Sequence, residues 1–168
     1  MARSKIYTRY DLATGAIYTD DNYIDTFSTP QYLVSKNKYI LCITLLDNGV
    51  STDYSYIVDW NIYFGNLSVT GDGELITITD SDINDTDDWS DADPSIGLIS
   101  CKLDLNDAVA TSVGTNSYRT HYLQITGSDG VHEITIALIP FRTKPIVHDP
   151  YETLAYSSSS SSSSSSEG

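Results

Sequence analysis

Positive charge is scarce in this chain: nine Lys and Arg stand against 23 Asp and Glu in 168 residues, a formal net charge of −14. A nucleic acid would ask for cations gathered over its phosphates, and the nine are scattered, so nucleic acid is not an expected partner. An anionic membrane surface is disfavoured on the same ground. No apolar run reaches the roughly 18 residues of a membrane-spanning helix, so no membrane insertion is expected. The opening Met1-Ala-Arg-Ser-Lys-Ile-Tyr7 carries basic residues without the apolar stretch of a secretory signal. Cysteine is limited to Cys42 and Cys101, both among apolar residues. Without an export signal they read as small buried thiols rather than a disulfide. A phosphate-binding loop, a dinucleotide fingerprint and a Cys/His zinc spacing are all missing, and on that absence the chain is not expected to be an enzyme.

What is present is tyrosine and serine. Thirteen Tyr outnumber three Phe and two Trp, a bias that suits half-buried sheet faces and contact surfaces, where an apolar ring carries a polar tip. Ten consecutive serines, Ser157 to Ser166, precede Glu167-Gly168. Such a run offers no apolar surface against the entropy of ordering it, so residues 151–168 are expected to form a disordered tail or tether. The chain then divides into an arm over 1–35, a domain over 36–150 and that tail.

In the arm, Ile6–Tyr10 and Ile17-Tyr18 flank Asp11-Leu-Ala-Thr-Gly15, a turn that predicts a small hairpin. An isolated hairpin is marginal in water, so the arm should dock on the domain or on a partner. Tyr39–Leu46 is an apolar run that fits a strand buried on both faces. From Tyr56 to Phe64 the even positions are apolar, which turns Trp60 inward and Asp59 and Asn61 outward. Short strands follow over Leu75–Thr79 and Ile99–Leu105. Asn106–Val113 is the one helical stretch, with Asn106 to cap it and Gly114 to end it. Tyr118–Thr126 and Val131–Ile139 form a hairpin; a two-residue Asp129-Gly130 turn would set Leu123 opposite Ile136 and Ile125 opposite Ile134. Pro140 and Pro145 should stop or edge the last strand. Five to seven strands and one short helix predict an all-β fold, an antiparallel β-sandwich.

Chemistry is sparse. Asp80, Asp82 and Asn84 match the first three ligand positions of a calcium loop, and Asp91 falls at its twelfth. The sixth position is Asp85 rather than glycine, and no Glu closes the loop, so an exposed polar loop is the favoured reading. His121 and His132 lie on paired strands, but the expected register separates them by about 20 Å, too far for a shared ion. Metal sites and cofactors are therefore not expected. Trp60 belongs in the core by its alternation. Trp89 sits within the acidic stretch and needs a cover, for which the domain's own sheet is favoured over a ligand. With Tyr7, Tyr10 and Tyr18 of the arm, Trp89 makes up the set of candidate partner contacts.

The segments Leu98–Leu103, Asn106–Val113, Tyr122–Thr126 and Ile134–Val147 form a strand, a short helix, a "Tyr-Leu-x-Ile" strand and a final strand ending in "Ile-Val". In this order they resemble a recurring module of phage tail proteins. Ile40–Leu46 with Ser55–Gly65 is similar to the first strands of baseplate upper-protein and tail-fibre attachment modules. The likeness covers about residues 36–150 and rests on hydrophobic pattern. It implies a non-enzymatic virion protein, assembled in the host cytoplasm onto other virion proteins as a homo-oligomer, a trimer being one form. The alternative from the residues is a carbohydrate-binding or adhesin domain, with or without calcium.

Overall fold

The computed structural model describes residues 3–18 and 30–148. Within them ten strands form two five-stranded sheets that face each other across one core, with a single short helix. The strands are β1 (Ser4–Asp11), β2 (Ile17–Tyr18), β3 (Gln31–Val34), β4 (Lys38–Asp47), β5 (Val50–Ser51), β6 (Asp59–Gly65), β7 (Glu74–Thr79), β8 (Leu98–Asp104), β9 (Arg119–Ser128) and β10 (Glu133–Lys144); helix α1 is Asp107–Val113. Sheet A orders β2-β1-β4, with β8 and β5 sharing the far edge of β4; sheet B orders β3-β10-β9-β6-β7. The all-β sandwich is as expected from the sequence, but both sheets are mixed: β1 runs parallel to β4, and β3 parallel to β10.

The arm docks on the domain. β1 pairs with β4 over eight residues, from Ser4 opposite Tyr39 to Asp11 opposite Leu46, and turns back antiparallel into β2. Asp11 locks the turn. Its buried carboxylate accepts amide hydrogens from Ala13 (2.9 Å) and Thr14 (3.4 Å) of its own turn, and from Asn48 (3.1 Å) and Gly49 (2.9 Å) of the β4–β5 turn. Together these amides outweigh the cost of burial and hold the carboxyl below its ordinary pKa.

β4 is buried on both faces, as its unbroken apolar run predicts. Tyr39, Leu41, Ile43 and Leu45 point into the core between the sheets, where they meet Trp60, Ile62, Phe64, Leu123, Ile125, Ile139 and Phe141 of sheet B. Ile40 and Cys42 point the other way and are covered by Trp89. Cys42 and Cys101 therefore lie on opposite faces of sheet A, although their strands are neighbours. α1 closes one end of the core with Val109 and Val113. Asn106 caps it as expected, accepting from the Val109 amide at 3.0 Å, and Gly114 follows it.

Two expectations are corrected. The β9–β10 hairpin does not use a two-residue turn: Asp129 accepts from the Val131 and His132 amides, both at 2.9 Å, and closes a four-residue loop. Ser128 then faces Glu133, and a bulge between Thr135 and Ala137 sets Ile125 opposite Ala137 and Leu123 opposite Ile139. The bulge brings Ala137, Ile139 and Phe141 into the core and leaves Leu138 39% exposed. Secondly, β6 begins at Asp59 rather than Tyr56; Tyr54 and Ile57 are buried before it, while Tyr56 and Val58 are exposed. Gly127 makes room for this approach, since a Cβ there would lie 2.8 Å from Ile57. The two prolines stop or edge the last strand as expected: Pro145 follows its last residue, and Pro140 lies where β10 is still an edge. It sits within β10 opposite Tyr122, and β3 joins the other edge only from Phe141 onward. The serine tail, and residues 19–29 of the arm, lie outside the described residues.

Candidate functional site

The acidic segment 80–93 is an ordered strap across the outer face of sheet A. Asn84 fixes its path. With φ at 59° it turns the chain, its amide donates to the Ser100 carbonyl (2.8 Å), and its side-chain oxygen accepts from the Ser100 amide (3.0 Å). Positive φ suits asparagine better than most residues. One residue earlier, Ile83 bridges to Cys101, and Asp93 bridges to Leu98 at the far end. Lys102 of β8 stands beneath the strap, its ammonium 3.4 Å from Asp88, 3.8 Å from Asp82 and 4.0 Å from Asp85. Much of the local repulsion is met by that one cation.

This arrangement disperses the residues that suggested a calcium loop. Asn84 is committed to β8, Asp80 accepts from the Trp60 amide at 3.4 Å, Asp82 faces Lys102, and Asp91 lies beyond Trp89. Among the described residues no group of three or more His, Cys, Asp or Glu is placed to hold a metal ion. Trp89 has the cover its position demanded: it lies over Ile40 and Cys42, with Ala92 and Leu98 packed around it. Burial there pushes the Cys42 thiol up to about 11, so it stays protonated at neutral pH.

Beside the strap, the outer face of sheet A opens into a cleft of about 640 Å³. One wall is Trp89 with Ser90 and Asp91, the other is Tyr7 of β1 with Tyr18 of β2, and Thr44 of β4 lies between. Register explains the gathering. Tyr7 is opposite Cys42 and Arg9 is opposite both Thr44 and Tyr18, so these residues share the outer face. The Tyr7 and Trp89 rings meet edge to face, 6.2 Å between centroids and 77° between planes. Tyr7 is 55% exposed whereas Trp89 is 9% exposed, so the tryptophan anchors and the tyrosine presents. Of the four candidate contacts, Tyr7, Tyr18 and Trp89 come together here. Tyr10 does not: it faces the core opposite Leu45, and burial raises its phenol pKa.

The cleft is lined by hydroxyls, carboxylates, the Arg9 side chain, aliphatic groups and rings, with a thiol that stays protonated.

A serine–histidine contact missed in the sequence lies elsewhere, between α1 and sheet B. Ser112 Oγ is 3.0 Å from His121 Nε2, and Thr143 Oγ1 is 3.0 Å from Nδ1. The second nitrogen meets a hydroxyl where a triad would have a carboxylate. His121 is fully buried against Phe64, and desolvation together with Arg119 lowers its pKa to about 4. The contact is a tie between helix and sheet. A Ser nine residues before a His gave no sequence signal of it, because helix and strand meet only in the fold.

No protein-family model matches the chain, and no curated protein matches it. Among solved structures it is similar to the N-terminal domain of phage TP901-1 ORF48, with a TM-score of 0.47 and 10% identity, covering 84% of this chain and 98% of that one. Likeness at that level is too slight to carry function or residue roles across.

Proposed function

We propose that the chain is a non-enzymatic structural component of a phage particle, in the tail, baseplate or fibre attachment, and that it holds its neighbours through protein–protein contacts. The cleft between Tyr7, Tyr18 and Trp89 is the observation that carries a contact role. It presents aromatic surface on a rigid sheet, next to a strap that is itself pinned along β8. Interfaces draw their binding energy from a few such aromatic anchors. The phage setting comes from the pattern of residues 36–150, which resembles tail modules.

The test is incorporation. In particles purified by density gradient from cultures expressing the chain with its phage, mass spectrometry should find it in fixed ratio to other tail proteins. Tyr7→Ala with Tyr18→Ala should lower that ratio while the purified variant keeps its melting temperature. An abundant intracellular chain that never enters particles would overturn the proposal.

The same cleft supports a second reading, a carbohydrate site, because an aromatic wall beside Ser90 and Asp91 suits a sugar ring. Glycan binding that is abolished by Tyr7→Ala, in a chain absent from particles, would favour it. Its calcium-dependent form requires melting that shifts with chelator and ceases to shift in Asp80→Ala with Asp82→Ala.

A further inference from the structure

Among the described residues three of the scarce cations meet carboxylates: Arg3 meets Asp104, Lys36 meets Asp107, and Lys102 serves the strap. Arg142 and Lys144, at the end of β10, are held by rings instead. Arg142 is in register with Tyr32 of β3 and Thr120 of β9. Its guanidinium carbon lies 4.8 Å from the centre of the Tyr118 ring and 5.8 Å from that of Tyr32, and Nη1 donates to the Tyr32 hydroxyl at 3.2 Å. The Lys144 ammonium stands 4.2 Å from the Tyr32 ring centre. The two rings meet edge to face at 6.2 Å, and Tyr32 and Tyr118 remain 42% and 40% exposed.

Neither Arg142 nor Lys144 forms an ion pair with a carboxylate among the described residues. A ring face orients a cation without cancelling its charge. Two long side chains already ordered on rings also lose less freedom when a partner arrives. The outer face of sheet B therefore offers a positive patch, uncancelled by any carboxylate among the described residues, on a chain of net charge −14. Its complement is a pair of carboxylates, one of which accepts two parallel hydrogen bonds from the Arg142 guanidinium while the other meets the Lys144 ammonium.

Such carboxylates stand on the opposite outer face. In the strap, Asp82, Asp85 and Asp88 are engaged with Lys102, whereas Asp87 and Asp91 are exposed and form no ion pair among the described residues. We infer that the patch around Arg142 and Lys144 docks the strap of a second copy of this chain, through Asp87 and Asp91. Positive patch and strap lie on different sheets, so the contact is head to tail and propagates into a ring or a row rather than a closed pair. It does not rest on the particle proposal: self-association is read on the purified chain, and incorporation is read on particles.

Charge reversal tests it in sedimentation equilibrium of the full chain over a concentration series. The unaltered chain should self-associate. Arg142→Glu with Lys144→Glu should weaken association about a hundredfold, roughly tenfold for each charge pair lost. Asp87→Lys with Asp91→Lys should do the same, and mixing the two doubly substituted chains should restore assembly. Melting temperatures within a degree or two of each other would show that all fold. An unaltered chain that stays monomeric, association that survives either reversal, or a mixture that stays apart would each overturn the inference.

Discussion

Two buried titrating side chains set how this protein should respond to acid, and their windows differ. His121 is neutral and fully buried, with a pKa near 4 against an ordinary 6.5. The unfolded chain takes up its proton first, so the stability that neutral His121 protects is intact above pH 6.5 and declines as pH falls towards 4. Melting temperature measured against pH should slope through that interval, and His121→Gln should flatten it. Asp11 acts lower. Its carboxyl is held below its ordinary 3.8 by four amides, so its contribution is present above that value and is lost as pH falls further, through the folded pKa. Asp11→Ala should cost about 2 kcal/mol in urea unfolding at neutral pH, since it strands amides of two turns at once. The same substitution should remove the steepest part of the acid limb below pH 4.

Among the elements, the strap and β4 depend on each other. β4 carries apolar residues on both faces, and sheet B can cover only one of them. The other is covered by Trp89, on a segment whose composition is otherwise that of a solvated loop. Trp89→Ala should therefore destabilise the fold by about 3 kcal/mol and uncover Cys42. A thiol reagent separates the two cysteines: Cys42 should react many times faster in the variant, while Cys101, on the core face, stays protected until global unfolding. Equal acceleration at both thiols would mean that the strap does not act locally. The β9–β10 hairpin shows a different dependence. Two alternations compete over Ile134–Phe141, and the bulge at Ile136 lets the set Ala137, Ile139, Phe141 take the core.

For the molecule as a whole, the buried apolar residues run from Ile17 to Phe141, Ile6, Tyr10 and Leu12 of the arm pack against them, and the arm contributes a full strand to sheet A. Deleting Ser157–Gly168 should leave the melting temperature unchanged, because a serine run brings no apolar surface to that core. Deleting residues 1–18 should abolish cooperative melting, since it uncovers one edge of β4 and removes the Asp11 lock. The two outer faces differ in character, an aromatic cleft beside an acidic strap on one and ring-held cations on the other.

The β class, the twice-buried strand at Tyr39–Leu46, the inward Trp60 and the capped helix were legible in the sequence, because each rests on spacing between near neighbours and on the local chemistry of turns and caps. The need for a cover over Trp89 was legible too, from an aromatic ring stranded among aspartates. What only the tertiary structure decided depends on partners distant in sequence. The parallel seat of β1 on β4 gathered Tyr7 and Tyr18 beside Trp89 and turned Tyr10 away. The Trp60 amide, Lys102 and Ser100 claimed Asp80, Asp82 and Asn84, the first three side chains with the spacing of a calcium loop, and a bulge chose between two alternations of equal local merit. Periodicity says which side of a strand is buried; it does not say which strand, loop or copy of the chain will bury it.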